Sequence, residues 1–238
     1  MNHIVSSILF LIVILMANTI QVLTGFAGNM LAMPFSIQLI GVNEAKTILN
    51  VFNLVACTYL WWKNRAYVNR KVFTKIITFM ILGMLIGMWL FEILPTNFLL
   101  TAYALLIIII ALYKMFCKKQ VRVSEFFMIF IILIAGIIHG MFVSGGALLV
   151  IYAVSVLKDK KEFRATLSPV WVILAIILMF SHARSGFYTS NTITLIGLSM
   201  IPLIISIWLG NMLFDKINQT MFLKVTYILL LISGISLL

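Results

Sequence analysis

Eight apolar runs, each close to the length needed to cross the hydrocarbon of a bilayer, follow one another through this chain and constrain its class before any single residue is considered. They occupy residues 4–23, 46–62, 73–94, 98–116, 124–143, 165–181, 192–212 and 221–238. In lipid, backbone polar groups must be paired internally, so long apolar runs of this kind predict helices. Composition agrees. A chain that is 63% hydrophobic and 10% charged, with a mean hydropathy of +1.18, has too little polar surface to cover a water-soluble globule. The expectation is an all-α, polytopic integral membrane protein forming one transmembrane domain over residues 1–238.

The formal charge of +11 raises nucleic acid as a partner. The basic residues instead fall in short loops between apolar runs, the pattern of membrane orientation. One set of loops holds Lys63, Arg65, Arg70, Lys71 and Lys75, then Lys114, Lys118, Lys119 and Arg122, then Lys158, Lys160, Lys161 and Arg164, and finally Lys216 and Lys224. Of the 17 basic residues only Lys46 and Arg184 are left for the other side. The positive-inside rule makes the first set cytoplasmic and places both termini on the outer side. The N-terminal run lacks a basic leader and an A-x-A site, so it reads as a retained first helix. Cys57 and Cys117 have neither disulfide nor metal-site spacing, and no metal or cofactor is expected.

Two shorter runs, 28–40 and 145–157, each follow a cluster of small residues: TGFAGNMLAMP at 24–34 and HGMFVSGGALLVI at 139–151. At 1.5 Å per residue, about 13 residues reach only about 20 Å. The pattern is therefore about eight transmembrane helices plus two short ones that either span or re-enter. Trp61 and Trp62 read as an interfacial anchor, and Gly83 and Gly87 as a close helix contact.

The halves also repeat. Glu44-Ala45-Lys46 matches Glu162-Phe163-Arg164 at an offset of 118, while Phe98, Leu99, Tyr103, Leu105 and Leu106 match Phe222, Leu223, Tyr227, Leu229 and Leu230 at an offset of 124. Repeat 1 covers about 1–118 and repeat 2 about 119–238. Their basic loops fall on opposite sides, so the repeats are inverted. That architecture places a solute site near the bilayer midplane at the repeat interface.

Little in the chain can do covalent chemistry. Glu92, near an outer end, and Glu125, at the start of its run, are the acidic residues within the runs, and His139 is the single histidine at membrane depth. No HExxH or GxSxG pattern occurs, and an enzyme is not expected. What remains is backbone and small polar groups. Gly25, Gly28 and Asn29 precede one short helix, and Ser144, Gly145 and Gly146 precede the other. Helix starts present unpaired N–H groups and positive dipole ends suited to an oxyanion, and Thr24, Asn29 and Ser144 can add donors. Small residues serve close helix packing equally well. Asn50 and Asn53 either face the same interior or bond between helices, and His139 is either a packing residue or a ligand and proton carrier. Lys46 and Arg164, equivalent in the repeat, either draw an anion to each pathway mouth or snorkel to the interface.

Gly25-Phe26-Ala27-Gly28-Asn29, followed by Pro34, resembles the G-x-G-G-G-x-x-x-x-P signature of the TauE/SafE (sulfite exporter, TSUP) family. Ser144-Gly145-Gly146 with Ile151-Tyr152, and Arg164-Ala165-Thr166 after it, resemble the second-half counterpart. Ala27 and Asn29 depart from glycine in the first signature, as Phe142 does in the second. The resemblance covers nearly the whole chain. It implies a bacterial inner-membrane permease for small sulfur-containing or organic anions, such as sulfite or sulfonates. The expected function is alternating-access transport of such an anion, in the direction of export. A passive anion channel and a non-transporting membrane accessory protein are the alternatives. Uptake would need a coupling ion, a proton or sodium, and the sequence leaves room for a homo-oligomer.

Overall fold

The computed structural model describes residues 3–116, 124–157 and 159–214, with 216, 228, 231, 232 and 235. Among these it is all α: α1 (His3–Thr24), α2 (Gly28–Ile40), α3 (Val42–Asn64), a 3-10 turn (Arg65–Tyr67), α4 (Arg70–Ile93), α5 (Thr96–Phe116), α6 (Glu125–Phe142), α7 (Gly146–Val156), α8 (Lys160–Arg184) and α9 (Ser190–Phe214). Every expected run up to residue 212 coincides with a helix, and the two short runs are α2 and α7. The run 221–238 lies almost wholly outside the described residues. So do Cys117 and the repeat matches at Phe222, Leu223, Tyr227, Leu229 and Leu230.

Six helices, α1, α4, α5, α6, α8 and α9, are long and apolar enough to cross a membrane. Trp89, Phe130, Ile201 and Trp208 stand exposed on them, a disposition that lipid tolerates and water does not. The paired tryptophans Trp61 and Trp62 are likewise exposed near the end of α3. α3 has the length of a span but carries Lys46, Asn50 and Asn53, all buried. Such residues are tolerated where protein rather than lipid surrounds them, and α3 packs against α8 inside the bundle.

Around that pair, α1 lies on α9, α4 on α6, α2 on α1 and α3, and α7 on α6. The α4–α6 seam is backbone on backbone. A Cβ on Gly83 or Gly87 would meet the carbonyls of Leu133 or Ile137 at 2.1 and 2.0 Å, and one on Gly136 or Gly140 would meet those of Met80 or Met84 at 2.5 and 2.3 Å. The expected close contact at Gly83 and Gly87 is this seam, with Gly136 and Gly140 as the other side of it.

The two breaks are built alike. α1 ends at Thr24 and α6 at Phe142, α2 begins at Gly28 and α7 at Gly146, and α3 begins at Val42 and α8 at Lys160, each pair separated by the same 118 residues. After α1 the chain turns through Gly25 at φ 81°, and its N–H donates to the Gln21 carbonyl at 2.7 Å. After α6 it turns through Val143 at φ 55°, and its N–H donates to the His139 carbonyl at 2.8 Å. Glycine takes that left-handed conformation freely; valine holds it at a cost of about 1–2 kcal/mol.

Candidate functional site

The breaks meet. A Cβ on Gly146 would lie 2.5 Å from the Phe26 carbonyl oxygen, so the start of α7 is pressed against the first break. A Cβ on Gly28 would strike Gln21 Cβ at 2.4 Å and the Ala17 carbonyl at 2.6 Å, so α2 folds back onto α1. Where these segments converge there is a cavity with about 10 Å³ of free space, room for about one water molecule. Gln21, Phe26, Asn29 and Asn53 line it from one half, and His139, Val143, Gly146 and Trp171 from the other. Gln21 and His139 are separated by 118 residues, as are Asn53 and Trp171. Two of the four lining residues on each side thus stand at the offset expected of the repeat.

Four of the ten expected site residues, Asn29, Asn53, His139 and Gly146, line the cavity, and the polar groups of the expected residues are committed in different ways. The Thr24 hydroxyl donates to the Ile20 carbonyl at 2.7 Å and accepts from the N–H groups of Phe26 and Ala27, so it shapes the break and has no proton left for a ligand. The Gly25 carbonyl accepts from Trp171 Nε1 at 2.7 Å. The Gly28 N–H, expected to be open, donates to Gln21 Oε1 at 2.8 Å. Gly145 packs on the Ala135 carbonyl and on His139 Cβ. Ser144 accepts from the Tyr103 hydroxyl of α5 at 2.6 Å and keeps its own proton.

Asn53 accepts from Gln21 Nε2 at 3.2 Å and from Cys57 Sγ at 3.3 Å, while its Nδ2 has no hydrogen-bond partner among the described residues. Neither ring nitrogen of His139 has one either, although the residue is only 1% exposed and its ring lies 5.2 Å from that of Trp171. Asn29 donates to the Leu49 carbonyl at 3.4 Å. Asn50 stands apart from the cavity, donating at 2.9 Å to the Ala175 carbonyl of α8; the interhelical reading of that residue is the one realised.

No charged side chain lines this cavity, yet two buried cations flank it. Lys46 and Arg164 are each 4% exposed, so neither snorkels to an interface. Lys46 Nζ lies 3.5 Å from the ring centre of Phe91, and Arg164 Cζ 3.6 Å from that of Phe214. Arg164 also donates to the Val22 carbonyl at 3.1 Å and packs against Gly25. The two environments correspond across the halves down to the aromatic ring at the end of α4 or α9. Cation–π contact compensates part of the cost of burying each charge.

Lys46 borders a second cavity with about 30 Å³ of free space, lined also by Glu92, Gly140, Leu178, Ser181 and His182. Its walls continue those of the first: consecutive residues of α6, His139 and Gly140, face different cavities, and α8 contributes Trp171 to one and His182 to the other. Hydrogen bonds tie elements together beside Arg164. Asn69 Nδ2 donates to Glu162 Oε1 at 2.9 Å, Asn69 N–H to Thr166 Oγ1 at 2.9 Å, and Lys160 Nζ to the Phe214 carbonyl at 3.2 Å.

Gln21, Phe26, Val143, Trp171 and His182 were not singled out by sequence. A signal for Gln21 and Trp171 lay in the expected repeat: carrying His139 back and Asn53 forward by 118 residues lands on them. His182 carried no comparable signal. Among the described residues no cluster of potential metal ligands occurs.

A family model, Sulfite exporter TauE/SafE, matches residues 9–237. No curated protein and no solved structure matches the chain.

Proposed function

The chain belongs to the Sulfite exporter TauE/SafE family, and on that premise we propose that it is a secondary permease carrying a small sulfur oxyanion or organosulfonate across a bacterial inner membrane by alternating access. The observation that carries this reading is the central cavity, to which each half contributes four residues, two of them at corresponding positions. Inverted repeats over about 1–118 and 119–238, with both termini on the outer side, account for that arrangement. They also account for the pairing of α1 with α9 and of α4 with α6, because exchanging the halves turns one pair into the other.

In this reading the central cavity is the substrate site and Lys46 and Arg164 are the mouths. Two buried cations raise the potential of a neutral cavity, favouring an anion there without binding it as a contact ion pair. The cavity is too small for an oxyanion as it stands, so in this reading its walls part to admit one. Export follows from electrostatics: an inside-negative potential drives an anion outward by about 2.3 kcal/mol per charge per 100 mV, with no coupling ion required.

Flux of sulfite, thiosulfate, sulfoacetate and acetate into proteoliposomes, with and without an imposed potential, tests the proposal. Saturable flux of a sulfur anion is expected. No flux of any of them, through protein shown to be folded, would overturn it.

A further inference from the structure

Two pairs of residues in the central cavity stand at corresponding positions, but they are not chemically alike. In the first half, Gln21 reaches from α1 to the start of the short helix, and its Oε1 accepts the Gly28 N–H. Its Nε2 turns to Asn53. A neutral amide oxygen therefore already sits where an anion would meet the positive end of α2. In the second half the corresponding residue is His139, next to the start of α7: a Cβ on Gly145 would lie 3.0 Å from His139 Cβ. α7 has no side-chain cap. His139 gives it none, and both of its ring nitrogens are without a hydrogen-bond partner among the described residues. The Asn53 amide, only 2% exposed, lines the same cavity with an equally unpartnered Nδ2.

Buried polar groups are almost always paired, and leaving one unpaired costs about 1–3 kcal/mol. Here the unpaired groups, an imidazole, an amide NH2 and an uncapped 11-residue helix start, converge on one side of one cavity. The imidazole offers an N–H in either tautomer, the amide offers a second donor, and the helix start offers backbone N–H groups. Together they suit the oxygens of a small oxyanion. Apolar cargo would leave all of them unsatisfied.

We propose that the oxyanion docks on the α7 side alone, held by the start of α7, His139 and Asn53 Nδ2, while Gln21 acts as a built-in ligand that closes the α2 side. The proposal rests on the permease reading. It goes further in assigning one docking half and giving Gln21 and His139 opposite roles at equivalent positions.

The discriminating variant is His139→Gln, which copies the first half's own solution into the second. The new carboxamide can cap Gly146 as Gln21 caps Gly28, so the fold is expected to persist with an unchanged elution profile and denaturation temperature. Flux of whichever of the four anions the wild type carries should fall at least about tenfold, the equivalent of one lost buried hydrogen bond to an anion. Full flux in folded H139Q overturns the proposal. Absence of flux in the wild type overturns the permease reading instead.

A second measurement does not depend on the variant's folding. In protein carrying Trp61→Phe, Trp62→Phe, Trp89→Phe and Trp208→Phe, Trp171 is the sole tryptophan, its ring 5.2 Å from that of His139. Titration with the carried anion should change its emission saturably. A flat titration in protein that still transports overturns the α7-side site.

Discussion

Adding a single methyl group to Gly146 tests whether the two breaks work in contact. In Gly146→Ala the new Cβ would stand 2.5 Å from the Phe26 carbonyl oxygen, against an ordinary contact of 3.4 Å or more. The neighbour is backbone, in a segment fastened by Thr24 and by Trp171, so no flexible side chain can yield. The breaks must part by close to an ångström. Overpacking of this kind costs about 1–3 kcal/mol, which disfavours this conformer about fivefold to 150-fold against any state in which the breaks separate. Gly197→Ala is the matched control: it is also helical, and nothing lies within 4 Å of its added Cβ. That change should leave flux intact and can raise stability by up to about 1 kcal/mol through helix propensity. Both variants are compared with wild type in anion flux at matched incorporation and in thermal denaturation in detergent. Gly146→Ala should lose at least about fivefold in flux and denature earlier. If it matches Gly197→Ala in both assays, the breaks do not bear on each other during transport and the argument from their contact is wrong.

Trp171→Phe keeps the aromatic face but removes the donor from the Gly25 carbonyl, leaving it buried and unpaired; a loss of about 1–3 kcal/mol should appear as a lower denaturation temperature, and an unchanged transition would discount the bond. Thr24→Val removes the hydroxyl that accepts from the Phe26 and Ala27 N–H groups and should cost about 1 kcal/mol, as lost caps do, read in the same melt. For uncoupled movement of a singly charged anion, an imposed inside-negative potential of about 100 mV should shift the steady-state gradient about fiftyfold toward export. A gradient indifferent to potential would show electroneutral exchange or coupling and refute the uncoupled mechanism.

Much of this fold is legible in the sequence because lipid leaves few choices. The short runs 28–40 and 145–157 emerge as Gly28–Ile40 and Gly146–Val156, since small-residue clusters and chain length suffice to end and begin helices. The match of Lys46 with Arg164 set two cations at equivalent positions, but not their burial or the rings that hold them, which arrive from the far ends of α4 and α9. Neighbour relations were harder to read. Asn50 and Asn53 lie one turn apart on α3, yet one bonds to α8 and the other faces the cavity, a difference set by helix rotation rather than residue type. Gln21 sits among apolar residues like any tolerated polar group until the repeat pairs it with His139. The asymmetry between those two was invisible because glutamine and histidine differ in what they reach, and reach depends on backbone placement.

The glycine seam between α4 and α6 has a kinematic consequence. α4 comes from the first half and α6 from the second, and four carbonyl-facing glycines leave no clearance between their backbones. A slide of one residue, about 1.5 Å along either axis, would bring side chains where only hydrogens now fit. The halves therefore cannot ratchet past one another along this line, nor separate across it without giving up the whole contact. In the proposed alternation of access, the seam would leave rotation about itself as the remaining motion, with α4 and α6 as the axle and α7, packed on α6, carried with them.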